Sequence, residues 1–187
     1  FNFNPFYSTL KGKTEKLNLN YFFDASSILI QLLKTQMFNN KNIDFKLQIN
    51  AKNIFNNFYF SDFYINSKIQ DGLIDIDDTS FKWKNFIDFK LEESLIYVKS
   101  GEVVLDGKFN IVIKNYNELY KYLLTPRNNR KEIKKVDFNF TYNFDQKIVN
   151  LTDIKIDKKI DINLNKTLSN MSLKKDNLQN KIYLKNL

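Results

Sequence analysis

Residues Val136 to Asp145 read Val-Asp-Phe-Asn-Phe-Thr-Tyr-Asn-Phe-Asp. Every second residue of this run is apolar, and every residue between is polar. A period of two places the apolar side chains on one face of a β-strand and the polar side chains on the other. The run therefore predicts an amphipathic strand whose apolar face must be covered by something.

The same pattern recurs along most of the chain. Asp44 to Ala51 alternates strictly, with Phe45, Leu47 and Ile49 on one face. Asp71-Gly72 and Ser100-Gly101 are pairs typical of tight hairpin turns. The predicted strands are Asp44–Ala51, Phe58–Gln70, Leu73–Asp77, Phe81–Trp83, Phe86–Leu91, Leu95–Lys99, Glu102–Asp106, a strand from Phe109 to Ile113, Val136–Phe144, Lys147–Asp157 and Lys159–Leu164, with Gly107 as a bulge or turn.

Helical spacing interrupts this series at a few places. Asp24 to Phe38 has apolar residues one, three and four apart, with Asp24 or Ser26 as the N-cap. Asn115 to Thr125 has a similar pattern, Asn115 and Glu118 resemble a capping box, and Pro126 ends the helix. The tail from Thr167 to Leu187 also has roughly helical spacing. We therefore expect two or three short helices beside a series of hairpins.

Composition removes several classes of chemistry. The 187 residues include 18 Phe and 10 Tyr but no His and no Cys. The commonest general base, the commonest metal ligand and the thiolate are therefore missing. The four glycines lie in separate segments and form no phosphate-binding loop. We predict a protein that is not an enzyme and has no cofactor and no metal site.

The net charge of +8 comes almost entirely from lysine. Acidic residues alternate with these lysines, and along the clearest strands the aromatic residues lie on the face opposite the lysines. A surface that stacks nucleic-acid bases needs both on one face, so we expect no nucleic-acid partner. The chain has a local basic patch that consists of Arg127, Arg130, Lys131, Lys134 and Lys135. A patch of this kind could contact lipid headgroups or another protein.

The covering of the apolar face decides the fold. Two halves of the sheet could cover each other in a closed β-sandwich, or a long curved sheet could keep an apolar groove filled by acyl chains. A closed barrel with a cavity is a third geometry. The pattern alone leaves these open.

Several segments resemble the AsmA-like family of bacterial envelope proteins. The likeness lies in their order and character: Ile49–Ile54, Phe60–Phe63 and Asp71–Ile74 are similar to its hairpin series. Leu105–Ile111 is similar to its strand segments, Tyr116–Arg130 to its helix and Pro-Arg linker, and Val136–Asp157 to its closing hairpin. The resemblance covers Asp24 to Asn165 and contains no catalytic motif.

This resemblance implies a mainly β fold, an extended, curved antiparallel sheet of hairpins forming a β-groove; the closed β-sandwich is the alternative that the alternation pattern leaves open. It implies one β domain over residues 1–187, a piece of a longer periplasmic protein anchored to the inner membrane by a segment outside this chain. That the chain starts with Phe agrees with such a piece. The implied function is lipid transport and outer-membrane assembly, with phospholipid acyl chains and envelope proteins as partners. The alternative is a non-catalytic structural or protein-interaction module.

Candidate lipid contacts follow from the two clearest strands. They are Phe45, Leu47, Ile49, Phe138, Phe140 and Tyr142. Burial of an aromatic side chain contributes about 1.5–3 kcal/mol whether lipid or protein covers it. Energy alone therefore does not distinguish a groove from a closed core.

Overall fold

The computed structural model describes residues 2–3, 6–19, 24–160, 162–169 and 173–174. Its described strands form one large, mostly antiparallel sheet that does not close into a barrel. The strands are β1 Asn2–Phe3, β2 Phe6–Leu17, β3 Ile43–Ile54, β4 Asn57–Gln70, β5 Leu73–Asp75, β6 Ser80–Trp83, β7 Ile87–Lys99, β8 Glu102–Ile113, β9 Lys135–Asn143, β10 Ile148–Ile156, β11 Lys159–Ile160 and β12 Leu173–Lys174. The helices are α1 Ile28–Lys34, α2 Tyr116–Tyr122 and α3 Ile162–Ser169, and a short 3-10 turn spans Arg127–Asn129.

The strand order along the sheet is β1-β2-β3-β4-β5-β7-β8-β9-β10-β11. β6 pairs with both β4 and β7, and β12 pairs with β10. The predicted series of antiparallel hairpins is confirmed from β3 onward. Asp71-Gly72 and Ser100-Gly101 both have positive φ at both positions, the geometry of type I′ hairpin turns.

β2 precedes the predicted elements, of which the first begins at Asp24. It lies parallel to β3, with Ser8 opposite Phe45 and Leu10 opposite Leu47, and α1 lies in the connection between the two strands. Most of its side chains are exposed, as expected for a strand near the edge of a sheet. Its pairing partner is distant in sequence, so local alternation gave little indication of it.

Two strands that were predicted in pieces are continuous. β7 runs through a bulge at Glu93, whose φ is 51°, and the register shifts between Glu92 and Leu95. β8 runs through Gly107, which lies opposite Phe140 in a regular ladder rather than in a turn. Further register shifts occur in the β3–β4, β4–β6 and β9–β10 pairs. Because bulges increase local twist, they curve the sheet.

The helices also differ in extent from the prediction. α1 starts after Ser27, whose Oγ accepts a hydrogen bond from the Ile30 N–H (3.3 Å), so neither Asp24 nor Ser26 is the N-cap. It ends at Lys34 because Gln36 has a left-handed backbone, with φ 57°. α2 is capped as predicted, by a hydrogen bond of 3.2 Å from the Glu118 N–H to Asn115 Oδ1.

The predicted strand Lys159–Leu164 is wrong after Ile160, because α3 begins at Ile162. Ile160, Ile162 and Leu164 alternate as a strand would, but a tertiary contact decides the structure. The Asn165 amide accepts from the Ile154 N–H and donates to the Ile154 C=O, both at 2.7 Å. Of the predicted helical tail, residues 167–169 belong to α3 and Leu173–Lys174 is a strand; the remainder lies outside the described residues.

Candidate functional site: the inner face of the sheet

One face of the sheet carries the predicted apolar residues of β3 and β9; we call it the inner face. Register places Phe45 opposite Ile69, Leu47 opposite Ser67 and Ile49 opposite Ile65. On the other side of the molecule Tyr142, Phe140 and Phe138 of β9 lie opposite Leu105, Gly107 and Phe109 of β8. The alternation therefore produced the predicted amphipathic strands.

α1 covers one end of the inner face. Its Ile30 and Leu33 are almost completely buried against residues of β4, β5, β7 and β8 in a group that we call the helix cluster. The remaining buried members are Ile69, Ile74, Ile76, Leu91, Ile96, Val103, Phe140 and Phe144. A closed β-sandwich is not formed by the described strands, since they all belong to one sheet.

An ion pair fixes α1 in this position. The Lys34 ammonium donates to Asp145 Oδ1 in the turn between β9 and β10, and the Asp145 carboxylate also accepts from the Val103 N–H at 3.1 Å. The hydrogen bond from Lys34 is the main reason that the pKa of Asp145 lies below its ordinary value. The same carboxylate thus links α1, β8 and the β9–β10 turn.

A second group of buried residues lies near the other end of β3 and β4. Its buried members are Leu17, Ala51, Phe63 and Ile65, with Ile49 packed against them. Leu47 belongs to neither cluster. It is partly exposed, and its inner-face neighbour Leu10 on β2 is 55% exposed.

A row of aromatic rings crosses the inner face from the second cluster to the border of the helix cluster; we call it the aromatic ladder. It consists of Phe63, Phe81, Phe89, Phe109 and Phe138, which belong to β4, β6, β7, β8 and β9. Centroid separations along it are 4.7, 4.7, 6.3 and 5.6 Å, and the first two pairs are stacked within 15° of parallel. Phe63 is buried, and the other four rings are only partly buried.

The six predicted lipid contacts therefore have different surroundings. Phe140 is 7% exposed and packs against protein, 5.0 Å from the Phe109 ring centroid. Phe45, Phe138 and Tyr142 border the helix cluster, and Ile49 borders the second cluster. Five of the six, all except Phe140, keep part of their apolar surface exposed, as do four rings of the aromatic ladder. Sequence reasoning missed the ladder because it depends on β6 pairing with two strands at once.

Two of the five residues of the predicted basic patch form ion pairs with acidic side chains. Arg127 and Lys131 are exposed, but Lys134 Nζ lies 3.5 Å from Glu132 and Lys135 Nζ lies 3.1 Å from Asp137. The Arg130 Nε–H donates to the Thr125 C=O at 2.9 Å, which orders the loop. One cleft beside β2–β4 is lined mostly by polar and charged residues together with Ala51 and Phe63, and another, beside Lys134 and Lys158, is lined by charged residues. Neither contains any of the six predicted lipid contacts.

Several lysines on the outer face form ion pairs with aspartates, which compensate their positive charge. Lys68, Lys82, Lys90 and Lys114 each pair with an aspartate, at N–O distances of 2.6–3.6 Å. Within the described ranges no group of three acidic side chains is arranged to hold a metal ion. In the same ranges, each helix is too short or too polar to cross a bilayer.

No protein-family model, curated protein or solved structure matches this chain. The geometry of the inner face is therefore the feature of the molecule that bears on its function.

Proposed function

We propose that the protein binds acyl chains on the inner face of its sheet, as a lipid-binding domain of the kind that lipid transport in a bacterial envelope requires. One observation carries the proposal: four of the five ladder rings and Leu47 are partly exposed on a face that α1 covers only at one end. Apolar surface left open in this way is stabilised by an apolar partner. A periplasmic location, an inner-membrane anchor and a role in outer-membrane assembly belong to the same proposal and derive from the AsmA-like resemblance.

The dimensions of the ladder suit one acyl chain. Its five strands are separated by four gaps of about 4.8 Å, so the ladder is about 19 Å long. Half of a bilayer core about 30 Å thick is about 15 Å, the depth occupied by one chain. Each methylene that the rings cover contributes about 0.8 kcal/mol, so affinity increases about fourfold for each carbon until the ladder is filled.

The chain provides its own probe and a pair of matched variants. Its one tryptophan, Trp83, is the last residue of the ladder strand β6 and lies opposite Ile87 on the inner face. Leu10 lies on the inner face, whereas Leu95 of β7 lies on the outer face, and both are exposed. Leu10→Asn and Leu95→Asn therefore make the same chemical change on opposite faces.

The experiment titrates the protein with brominated fatty acids of increasing chain length and measures quenching of Trp83. We expect quenching whose affinity increases with chain length, a loss of affinity in Leu10→Asn and Leu47→Asn, and no change in Leu95→Asn. Native mass spectrometry after exposure to phosphatidylglycerol vesicles should detect bound lipid. The proposal is wrong if no lipid is carried where a known lipid-binding protein is loaded, or if Leu10→Asn and Leu95→Asn change affinity equally.

A structural or protein-interaction role is the second candidate, and the edge of the sheet favours it. β1 pairs only with Phe6 and Tyr7 of β2, so among the described residues Ser8 to Leu17 have no partner strand on that side. An edge of this length can add a strand from another chain. Size-exclusion chromatography with light scattering distinguishes this role: strand addition between copies gives a dimer, and a Thr9→Pro edge variant would abolish it.

A further inference from the structure

Lys84 lies in the turn between β6 and β7, at the end of the sheet opposite α1. Its backbone is left-handed, with φ 49°, and its N–H donates to the Tyr59 C=O at 2.8 Å. This hydrogen bond brings the turn against the start of β4. The Lys84 side chain is exposed, but its ammonium group lies over aromatic rings.

Three aromatic rings surround the Lys84 ammonium. Nζ lies 5.2 Å from the ring centroid of Tyr59, 5.9 Å from that of Phe86 and 5.7 Å from that of Tyr122. The rings come from three separate elements: β4, the β6–β7 turn and α2. We call this arrangement the Lys84 cage.

The positive charge of Lys84 is compensated differently from that of its neighbours. Lys82 and Lys114, which flank the same end of the sheet, pair with Asp62 and Asp88 at 2.8 and 2.6 Å. In the part of the chain that the structure describes, no carboxylate pairs with Lys84. The ring faces, which carry the negative part of the aromatic quadrupole, are its partners.

Such a set of rings is suited to a cation that cannot donate hydrogen bonds. A primary ammonium keeps three N–H donors that prefer water or a carboxylate, whereas a quaternary ammonium has none and is weakly hydrated. Aromatic cages are the usual protein site for choline-like groups. The Lys84 ammonium therefore occupies a place better suited to another cation.

The cage adjoins the inner face. The Trp83 ring lies 4.7 Å from the Tyr122 ring and 5.4 Å from the Phe86 ring, both edge-on. Trp83 also lies opposite Ile87 on the inner face. A ligand with an apolar chain on the ladder and a cationic group at its end would reach both.

We propose that the Lys84 cage is a binding site for the quaternary ammonium group of a choline-type lipid headgroup, and that the Lys84 side chain occupies the site when no ligand is bound. This inference rests on the proposed acyl-chain function for the lipid itself, but the cage can be tested without it.

The first experiment uses tetramethylammonium alone. Saturation-transfer NMR on its methyl protons measures binding to the wild type and to Lys84→Gln, which removes the internal competitor. We expect Lys84→Gln to bind tetramethylammonium about fivefold more tightly. Lys121→Gln is the matched control, because Lys121 pairs with Glu118 on α2 rather than with rings, and it should leave binding unchanged.

Ring removal in the Lys84→Gln background completes the test. Tyr122→Leu should reverse the gain, with circular dichroism confirming that the sheet is folded; Tyr59→Leu provides the same test if the Tyr122 variant does not fold. The cage proposal is overturned if Lys84→Gln binds no more tightly than the wild type. It is also overturned if ring removal has no effect on binding.

The second experiment separates the cage from the acyl-chain function. Lysophosphatidylcholine and lysophosphatidylethanolamine of equal chain length are compared on Lys84→Gln, and the choline lipid should bind about fivefold more tightly. Equal binding of the two lipids upholds the acyl-chain function and overturns the headgroup assignment. Binding of tetramethylammonium without binding of either lipid upholds a site for a free quaternary ammonium ion and overturns the acyl-chain function.

Discussion

Gly107→Ala tests the packing beneath the aromatic ladder. Gly107 lies in β8 opposite Phe140, and the bulge of β7 places Ser94 directly against it. A Cβ at position 107 would lie 2.2 Å from Ser94 Oγ, 2.8 Å from Ser94 Cβ and 3.2 Å from Phe140 Cε1. Carbon atoms in contact prefer about 3.5–4.0 Å, so the two strands must move apart.

The magnitude follows from what each neighbour can do. Ser94 Oγ can rotate away only by giving up its hydrogen bond to the Glu92 C=O, at 2.8 Å, and Ser94 Cβ is fixed by the backbone. Ser94 is 1% exposed, so it has no solvent to move into. Overpacking of a core costs about 1–3 kcal/mol and a lost hydrogen bond about 1 kcal/mol. We expect Gly107→Ala to lower the free energy of unfolding by about 2–3 kcal/mol.

Urea unfolding followed by circular dichroism measures this change, and the melting temperature should fall by roughly 5–10 °C. Gly12→Ala in β2 is the control, since its Cβ would meet no atom within 4 Å. It should change stability by less than about 1 kcal/mol, in the stabilising direction. Ser94→Gly should remove most of the penalty of Gly107→Ala, giving a coupling of about 1–2 kcal/mol. Equal stability of Gly107→Ala and Gly12→Ala would refute the reasoning.

Three further changes test other contacts. Asp145→Asn should lower stability by ~1 kcal/mol near neutral pH. Lys34 depresses the pKa of Asp145 in the folded state, so this contribution is present above the unfolded pKa of about 3.9 and is lost as pH falls through the lower folded pKa. Urea unfolding of the wild type and of Asp145→Asn at pH 7 and pH 2 should show that their difference in stability disappears at the lower pH. The hydrogen bond to Asp106 raises the pKa of Tyr97, so ultraviolet titration of Tyr97→Phe should lack one late-titrating tyrosine above pH 10. Asn165→Ala removes both hydrogen bonds to the buried backbone of the β10 bulge and should cost about 1–3 kcal/mol, with faster amide exchange along β10 as the local signature; a wild-type exchange pattern would contradict it.

Local chemistry made much of the sheet predictable. The period of two in the predicted strand Phe58–Gln70 places Phe63, Ile65, Ser67 and Ile69 on one face, and all four are buried. The Asp71-Gly72 turn needs a left-handed backbone that few residue pairs accept, so it too could be read from the sequence. In both cases neighbours in sequence carry the information.

Bulges were the main cause of error. At Glu93 one extra residue resets the alternation of β7, so its two halves appeared to be separate strands. Gly107 was predicted to be a bulge or turn because glycine is common at both, whereas here it is required by the close approach of Ser94. Both errors have the same origin, since the β7 bulge is what brings Ser94 over Gly107.

The candidate site depends most on contacts between distant residues. Phe81 and Phe89 alternate with polar residues like many others, and only their register, with Phe81 opposite Phe89 and the two rings stacked, joins them into a ladder. Lys84 and Tyr122 are 38 residues apart, and nothing in either segment indicates that a ring will face the ammonium. A sequence can thus predict which residues face inward, but it cannot predict which inward residues are covered.

The distribution of burial on the inner face favours an added partner over a closed core. The described chain completes one core fully, around Ile30 and Leu33 of α1, where side chains fall to 2% exposure or less. A closed core would continue that density along the sheet, yet Leu10 is 55% exposed on the inner face and four ladder rings are only partly covered. Stacking nevertheless holds Phe63, Phe81 and Phe89 in a row, and Phe109 and Phe138 continue it through edge-on and tilted ring contacts, so the rings are ordered before any partner arrives. An apolar surface that is ordered but only partly covered by the described residues loses little conformational entropy on binding, which suits a site for a flexible acyl chain.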